Sequence, residues 1–468
     1  MPSSINKIPP TNQNSSRWGL PMLRRVVLGV SVIGTLGLGI FFDKNYLDEA
    51  VAKENADTNI YQQLKTFADV LAIVQRDYVR EVDSQELVEG AIKGMLAVLD
   101  PHSGYLDKEF YQDLRVQTQG EFGGLGVEIT IKDGLLVVVS PMEGSPAAKA
   151  GMKTGDAIVK IEGKFTKEFS IADAVKRLRG PKGSSINISV QRKGVPDFIE
   201  LTLVRDIVSV RSVRSRLLAD GLGYVRVTQF AEKTSSELKD ALEKLKAAST
   251  SGSLKGLILD MRNNPGGLLT QAIEISDLFL DNGVIVYTDS RLSDQKKKYF
   301  AHEPGTEPPY PIVVLVNGGS ASASEIVAGA FKDHGRALVV GTQTFGKGSV
   351  QTITPLDNGG AVTLTTALYY TKSGRSLQAL GVSPDIVVAD ADATPASNDK
   401  KFSRVEVRES DLSGAISNPD GVEEPLKKIN KTPSVLEVKE PVDPEKTAID
   451  VWLSRDKQFA KAYAILSQ

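Results

Sequence analysis

Cysteine is absent from the 468 residues. That excludes disulfide frameworks, thiolate zinc sites, cysteine nucleophiles and lipid-modified cysteines. Histidine is scarce: there are three, His102, His302 and His334. No H-E-x-x-H pattern occurs, so no metal site is expected and no cofactor is called for. His102 follows Asp100-Pro101 in a turn, His302 sits near a Pro-rich loop and His334 ends a helix beside Gly335. All three read as structural or solvated. Neither sign of charge dominates, with 56 Lys and Arg against 58 Asp and Glu and a net charge of −2. Without a global basic field, nucleic acid is not an expected partner. At 41% hydrophobic and 24% charged residues, the chain is neither wholly disordered nor collagen-like. At about 150 residues per domain it has room for roughly three domains.

The apolar run Val26–Phe42 is 17 residues long, close to the lower limit for crossing a bilayer. Arg17, Arg24 and Arg25 precede it, and Asp43, Asp48 and Glu49 follow it. This asymmetry leaves the N-terminus in the cytoplasm and sends the remainder across the membrane. No A-x-A site directly follows Phe42, so residues 17–42 are expected to be an uncleaved signal anchor in the inner membrane. Residues 1–16, rich in Ser, Asn and Pro, are expected to be disordered.

Apolar residues at helical spacing predict helices over 57–80 (Ile60, Leu64, Phe67, Val70, Leu71, Val74) and 84–99 (Leu87, Val88, Ala91, Ile92, Met95, Leu96). They fall in an N-terminal helical region, 43–119, or form an arm through which copies associate. Residues 120–206 combine two short helices with about five strands, a compact barrel-like domain whose first strand opens at Gly123–Ile129. Residues 207–390 alternate strands with helices, which predicts an α/β domain with a largely parallel sheet. Residues 391–444 are rich in Pro, Ser and charge and read as a flexible linker. Helical spacing returns at 445–468 through Ile449, Trp452, Leu453, Phe459, Tyr463 and Leu466, predicting one C-terminal helix.

Three segments of the α/β region carry candidate chemistry. Asn317–Glu325 (NGGSASASE) joins a buried strand to a helix. A serine at such a turn exposes its hydroxyl, and the helix N-terminus offers free N–H groups that can stabilise an oxyanion. Ser320, Ser322 or Ser324 could equally serve as a plain N-cap. Gly341–Gln351 (GTQTFGKGSVQ) nearly matches a phosphate loop, yet Gly348 stands where the magnesium-binding hydroxyl belongs, and a strand rather than a helix follows. Lys347 is instead held among glycines and apolar neighbours. Desolvation there would favour a general base, and a solvated surface lysine is the alternative. Asp260–Gly267 (DMRNNPGG) ends a strand and can present N–H groups at the carboxyl edge of the sheet, or simply form a tight turn.

Taken together, GGLGVEI, SPAAKAG…GD, LRGPKGS, DMRNNPGG, GGSASASEIVAGA and GTQTFGKGSVQ resemble the carboxyl-terminal processing proteases, over roughly residues 57–390. The resemblance implies a multidomain α/β protein: a crotonase/Clp-protease-like catalytic core with an inserted PDZ domain and an N-terminal helical region. It implies a Ser–Lys dyad, with Ser322 as nucleophile, Lys347 as base and Gln351 orienting the lysine. It maps oxyanion donors to the N–H groups of Gly267 and Ala323. It makes residues 120–206 a PDZ domain that captures the free C-terminal tail of a protein substrate. There, Gly124, Leu125, Gly126 and Val127 would bind the carboxylate, and Leu125, Val127, Ile129, Val175 and Leu178 would line an apolar pocket. Arg179, at the end of the pocket helix, would report occupancy to the catalytic domain, unless it is a solvated arginine favoured there by the helix dipole. The expected protein is a membrane-tethered serine endopeptidase in the periplasm or an equivalent extracytoplasmic space, with homo-oligomerisation through the terminal helices. A noncatalytic PDZ scaffold with a relict peptidase domain is the competing reading, and the intact Ser322, Lys347 and Gln351 weigh against it.

Overall fold

The computed structural model describes residues 59–132, 134–142, 144–389, 407–421 and 448–468. The disordered segment expected at 1–16 and the anchor expected at 17–42 lie outside these. Among the described residues no helix is long and apolar enough to cross a membrane. The chain divides into two compact units, Met1–Gly90 and Ala91–Gln468. In the first, a helix spans 59–77, and its recurring apolar residues Ile60, Leu64, Phe67 and Val70 are exposed. The next helix is Ser84–Ala97.

In the larger unit a six-stranded sheet runs in the order Val213–Leu217, Leu222–Val227, Gly256–Asp260, Ile312–Val316, Leu338–Gly341, Ile386–Val387. The first pair is antiparallel and the other pairs are parallel. Parallel strands covered on both faces read as unbroken apolar runs, and Ile312–Val316 is buried throughout. Strand alternation divides these side chains between two cores. Leu257, Leu259, Ile312, Val314 and Val316 meet the helices Thr234–Ala248, Leu269–Asp277 and Ala323–Asp333. Ile258, Val313, Leu315 and Tyr224 meet the C-terminal helices through Trp452 and Phe459.

That C-terminal cover differs from the single helix expected at 445–468. It is two helices, Ile449–Arg455 and Lys457–Leu466, broken at Asp456. The Asp456 carboxylate caps the second helix at the Phe459 N–H, 2.9 Å away. It also accepts from both ends of the Arg262 guanidinium, at 2.9 and 2.8 Å. Arg262 in turn bonds Asp260 at 3.0 and 2.7 Å. Serving a cap and a buried fork together requires extended backbone at Asp456, and the helix stops there. Burial alone would push the Asp260 carboxyl up, but the adjoining guanidinium outweighs it and holds the group below the usual range. Trp452 stacks on Phe459 at 3.8 Å and meets Tyr224 edge-on at 4.5 Å. The apolar face expected to mediate association at this end is therefore used within the chain.

The linker expectation for 391–444 also needs correction. Residues 407–421 contain a 3-10 turn at Glu409–Asp411, and Glu409 is fully buried. Their buried contacts are polar rather than an apolar stripe, so hydrophobic periodicity carries no sign of them. Residues 391–406 and 422–444 lie outside the described ones.

A second sheet orders Gly104–Leu106, Ala361–Tyr370, Val284–Asp289 and Lys298–Phe300, with Ser349–Pro355 also paired to Ala361–Tyr370. The remaining domain has the sheet order Val127–Lys132, Leu135–Pro141, Ala157–Ile161, Ser185–Gln191, Ile199–Val204. Two helices, Pro146–Lys149 and Ile171–Leu178, pack with it around Leu125, Leu136, Ile158, Ile186 and Val190. Glu121–Gly124 pairs with Asp206–Ser209 where the chain enters and leaves this domain. The single strand expected over Gly123–Ile129 is thus two strands, interrupted at Leu125-Gly126. Gly126 has φ 68°, and a Cβ there would approach Ser145 Cβ to 2.4 Å.

Truncating Trp452 to Ala should cost about 3–5 kcal/mol by emptying the second core. Thermal unfolding followed by near-UV circular dichroism should show a markedly lower Tm. An unchanged Tm would contradict the packing role of the C-terminal helices.

Candidate functional site

The three segments singled out in the sequence leave the carboxyl ends of three neighbouring parallel strands, Gly256–Asp260, Ile312–Val316 and Leu338–Gly341. This edge is where open α/β sheets place ligands. The register brings the segments together without further chain movement.

Side-chain partners distinguish the three serines. Ser320 Oγ donates to the Met261 carbonyl at 2.8 Å, and Ser324 Oγ to the Asn264 carbonyl at 3.0 Å. Both are fully buried and staple the 317–325 turn to the 261–267 turn. Ser322 is only partly buried and its hydroxyl makes no such bond. Its backbone has φ 54° and ψ −112° at the N-terminus of Ala323–Asp333. A non-glycine residue with positive φ persists only where its surroundings hold it, and such strain clusters at functional turns. The close approach is visible at Gly266, where a Cβ would lie 2.9 Å from Ser322 Cβ and 2.7 Å from the Ala321 carbonyl oxygen. Neither the Gly267 nor the Ala323 N–H is engaged by an acceptor among the described residues. Both remain available, as an oxyanion donor requires.

Glu325 was not singled out in the sequence, yet it joins the parts of the site. Its carboxylate is fully buried and accepts from Ser322 N–H at 2.8 Å, Lys347 N–H at 2.9 Å, Gly346 N–H at 2.7 Å and Thr344 Oγ at 2.5 Å. Burial pushes its pKa up to about 7, against the pull of these donors. The signal in the sequence was the S-x-x-E spacing of a capping box, but the pattern does not reveal that the same carboxylate reaches the lysine loop.

Lys347 is partly buried. Desolvation lowers its amine pKa, while Glu409, Asp100 and Glu325 oppose that change. No hydrogen bond joins Lys347 Nζ to Ser322 Oγ or to Gln351. The expected orienting bond from Gln351 is therefore not present. Its amide donates to Ser349 Oγ at 2.9 Å and Thr365 Oγ at 3.4 Å, because the strand register sets Gln351 opposite Thr365.

The compact domain has a pocket lined by Phe122, Leu125, Gly126, Val127, Ile129, Val175, Leu178 and Arg179. Six of these were expected from the sequence to bind the tail, Arg179 was expected only beside the pocket, and Phe122 was not expected. Gly124, expected in the carboxylate-binding loop, lies outside the lining and is paired with Asp206. Arg179 is not simply solvated. Its guanidinium bonds Asp113 of the helix Lys108–Gln119 and sits 5.2 Å from the Phe122 ring centre.

The sequence model of peptidase family S41 matches residues 221–388, that of the PDZ domain 137–192, and that of the activating protease CtpB N-terminal domain 35–110. A carboxy-terminal-processing protease of Bartonella bacilliformis is 46% identical over 396 residues, covering 84% of this chain and 88% of its own. A carboxyl-terminal-processing protease of Synechocystis is 38% identical, covering 68% and 74%. Among solved structures, a photosystem II D1 C-terminal processing protease is 33% identical over 69% of this chain and 92% of its own, with a TM-score of 0.40. The α/β core and the PDZ domain define a multidomain peptidase. The chain belongs to peptidase family S41, among the C-terminal processing proteases.

Replacing Glu325 by Gln leaves one acceptor oxygen for four donors. An unpaired buried N–H costs about 1–3 kcal/mol, so Tm should fall by several degrees and peptide cleavage should drop at least about tenfold. Wild-type Tm together with wild-type rate would remove the clamp role from Glu325.

Proposed function

We propose that this S41 peptidase is a membrane-tethered serine endopeptidase that cleaves exported proteins near their C-termini through a Ser322–Lys347 dyad. The observation that carries the proposal is the contrast among the three serines. Ser320 and Ser324 hold the fold together, while the Ser322 hydroxyl, on a strained turn, donates to no carbonyl among the described residues, and the Gly267 and Ala323 N–H groups have no acceptor among them. Neutral Lys347 takes the proton as Ser322 Oγ attacks the scissile carbonyl. The tetrahedral oxyanion rests on the Gly267 and Ala323 N–H groups. Collapse breaks the C–N bond, the leaving amine takes a proton from Lys347, and an acyl-enzyme remains. Water activated by the same amine then hydrolyses the ester. An unperturbed lysine, near pKa 10.4, would be almost fully protonated at neutral pH. Burial lowers the pKa of Lys347, the direction the role requires. Gln351 enters through the Thr365 side of the site rather than by a direct bond to the amine.

In this proposal the PDZ pocket takes the substrate tail. An extended tail adds beside Val127–Lys132, its last side chain enters the space between Ile129, Val175 and Leu178, and N–H groups of the Leu125–Val127 turn receive its carboxylate. Arg179 closes one side. Through Asp113 it joins the helix Lys108–Gln119, which follows the strand Gly104–Leu106 paired with Ala361–Val362–Thr363 of the sheet that carries Gln351. This contiguous path supports a reporting role for Arg179. Residues 17–42 supply the tether.

Ser322→Ala and Lys347→Ala should each abolish cleavage of a peptide substrate with near-UV circular dichroism unchanged. Turnover near wild type by Lys347→Ala would remove the dyad. Charge-assisted hydrogen bonds of about 1.5–3 kcal/mol imply that amidating the substrate's C-terminus weakens tail binding by roughly tenfold to a hundredfold. Matched free-acid and amide peptides giving superimposable rate curves would assign the PDZ domain to scaffolding.

A further inference from the structure

Residues 407–421 reach the loop that carries Lys347 on both of its flanks. On one flank the Glu409 N–H donates to the Phe345 carbonyl at 3.1 Å. On the other, the Gly348 N–H donates to Gln378 Oε1 at 3.0 Å, and Gln378 Nε2 donates to Glu409 Oε1 at 2.9 Å. Gln378 is itself held by the same segment, through the Ile416 carbonyl at 3.0 Å and Asn418 Nδ2 at 2.8 Å. Gly348 must be glycine here, since a Cβ would lie 2.1 Å from the Gln378 nitrogen. Lys347 is therefore suspended between two anchored neighbours.

The Glu409 carboxylate is fully buried and also bonds His102 Nε2 at 2.9 and 2.8 Å. Nearby Asp100 accepts from the His102 and Ser103 N–H groups, Ser103 Oγ and Thr365 Oγ. Thr365 in turn accepts from Gln351. A polar chain thus runs from the 407–421 segment around the lysine to Gln351. The titratable groups that face the Lys347 amine are Glu409, Asp100 and Glu325; those that face Glu409 are His102 and Lys347.

We propose that Glu409 is a positioning residue for Lys347, fixing the loop that presents the amine and supplying a buried negative charge that the amine senses. The proposal rests on Lys347 acting as the base. Burial pushes the Glu409 carboxyl up, but the bonds from His102 and Gln378 and the charges of His102 and Lys347 hold it below the usual range, so it is ionised at neutral pH. Its charge favours the protonated amine and limits how far burial depresses Lys347. The base is thereby kept strong enough to accept the serine proton.

The test measures the pH dependence of kcat/KM on a free-acid peptide and, separately, of Ser322 phosphonylation by a fluorophosphonate, in which an O–P bond forms and fluoride leaves, using the full chain. In Glu409→Gln the lost charge favours the neutral amine, so the acid limb of both profiles should move to lower pH by about one unit. Glu409→Asp, which keeps the charge on a shorter arm, should return the limb toward wild type. Gln378→Met keeps the charge and cuts the bridge to Gly348. Its kcat should fall about tenfold, the equivalent of one lost hydrogen bond, with the limb unmoved. The Gln378 variant also tests the gripping contact if Glu409→Gln does not fold. An unmoved limb in Glu409→Gln, or wild-type kcat in Gln378→Met, overturns the proposal while an inactive Lys347→Ala leaves the dyad standing. An active Lys347→Ala would instead remove the dyad itself.

Discussion

One buried carboxylate holds the site together. Glu325 sits in the first turn of the helix Ala323–Asp333 and accepts from the backbone of both the serine turn and the lysine loop. Two strand-ending loops that would otherwise drift independently share a single acceptor. Much else follows from that sharing. The Ser322 backbone is pulled into a conformation most residues avoid, Gly266 must lack a side chain to let the turn close, and the loop Thr344–Lys347 is drawn against the helix N-terminus. A carboxylate placed there also gains from the helix dipole, which offsets part of the cost of burying it.

A second polar device, the Asp260–Arg262–Asp456 fork, acts on the opposite side of the same strand edge. Buried ion pairs contribute little net stability on average, and their specificity is what matters here. The fork sets where the C-terminal helices break and so where Trp452 and Phe459 land on Tyr224. The serine and lysine loops are thereby mounted on a sheet packed from both faces, a support that precise positioning of reacting groups needs.

The legible parts of this molecule were those written in local pattern. The parallel sheet followed from the alternation of strands with helices over 207–390, and the burial of Ile312–Val316 throughout agrees with it. The pocket lining at Val127, Ile129, Val175 and Leu178 came from the resemblance to a PDZ domain rather than from local pattern, and the structure places these residues together. Strands such as Lys298–Phe300, short and half exposed, carry too little pattern to be read. Choosing Ser322 over Ser320 and Ser324 from physics alone was out of reach, since the choice depends on carbonyls of Met261 and Asn264 some sixty residues away. The break at Asp456 and the burial of Glu409 were hidden for the same reason. Each is decided by a partner distant in sequence, and a carboxylate in a polar stretch looks solvated until that partner is known.

The span of those partnerships bears on when the molecule becomes complete. His102 and Glu409 are separated by 307 positions, and Arg262 and Asp456 by 194. Contacts of such sequence separation form late, because loop closure precedes any gain from the contact. A chain emerging N-terminal end first can fold its PDZ domain early, but it cannot seal the second face of the catalytic sheet or fasten the lysine loop until residues beyond 400 have appeared. Assembly order thus acts as a timer: the edge where the serine and lysine loops meet is finished last, after the PDZ domain.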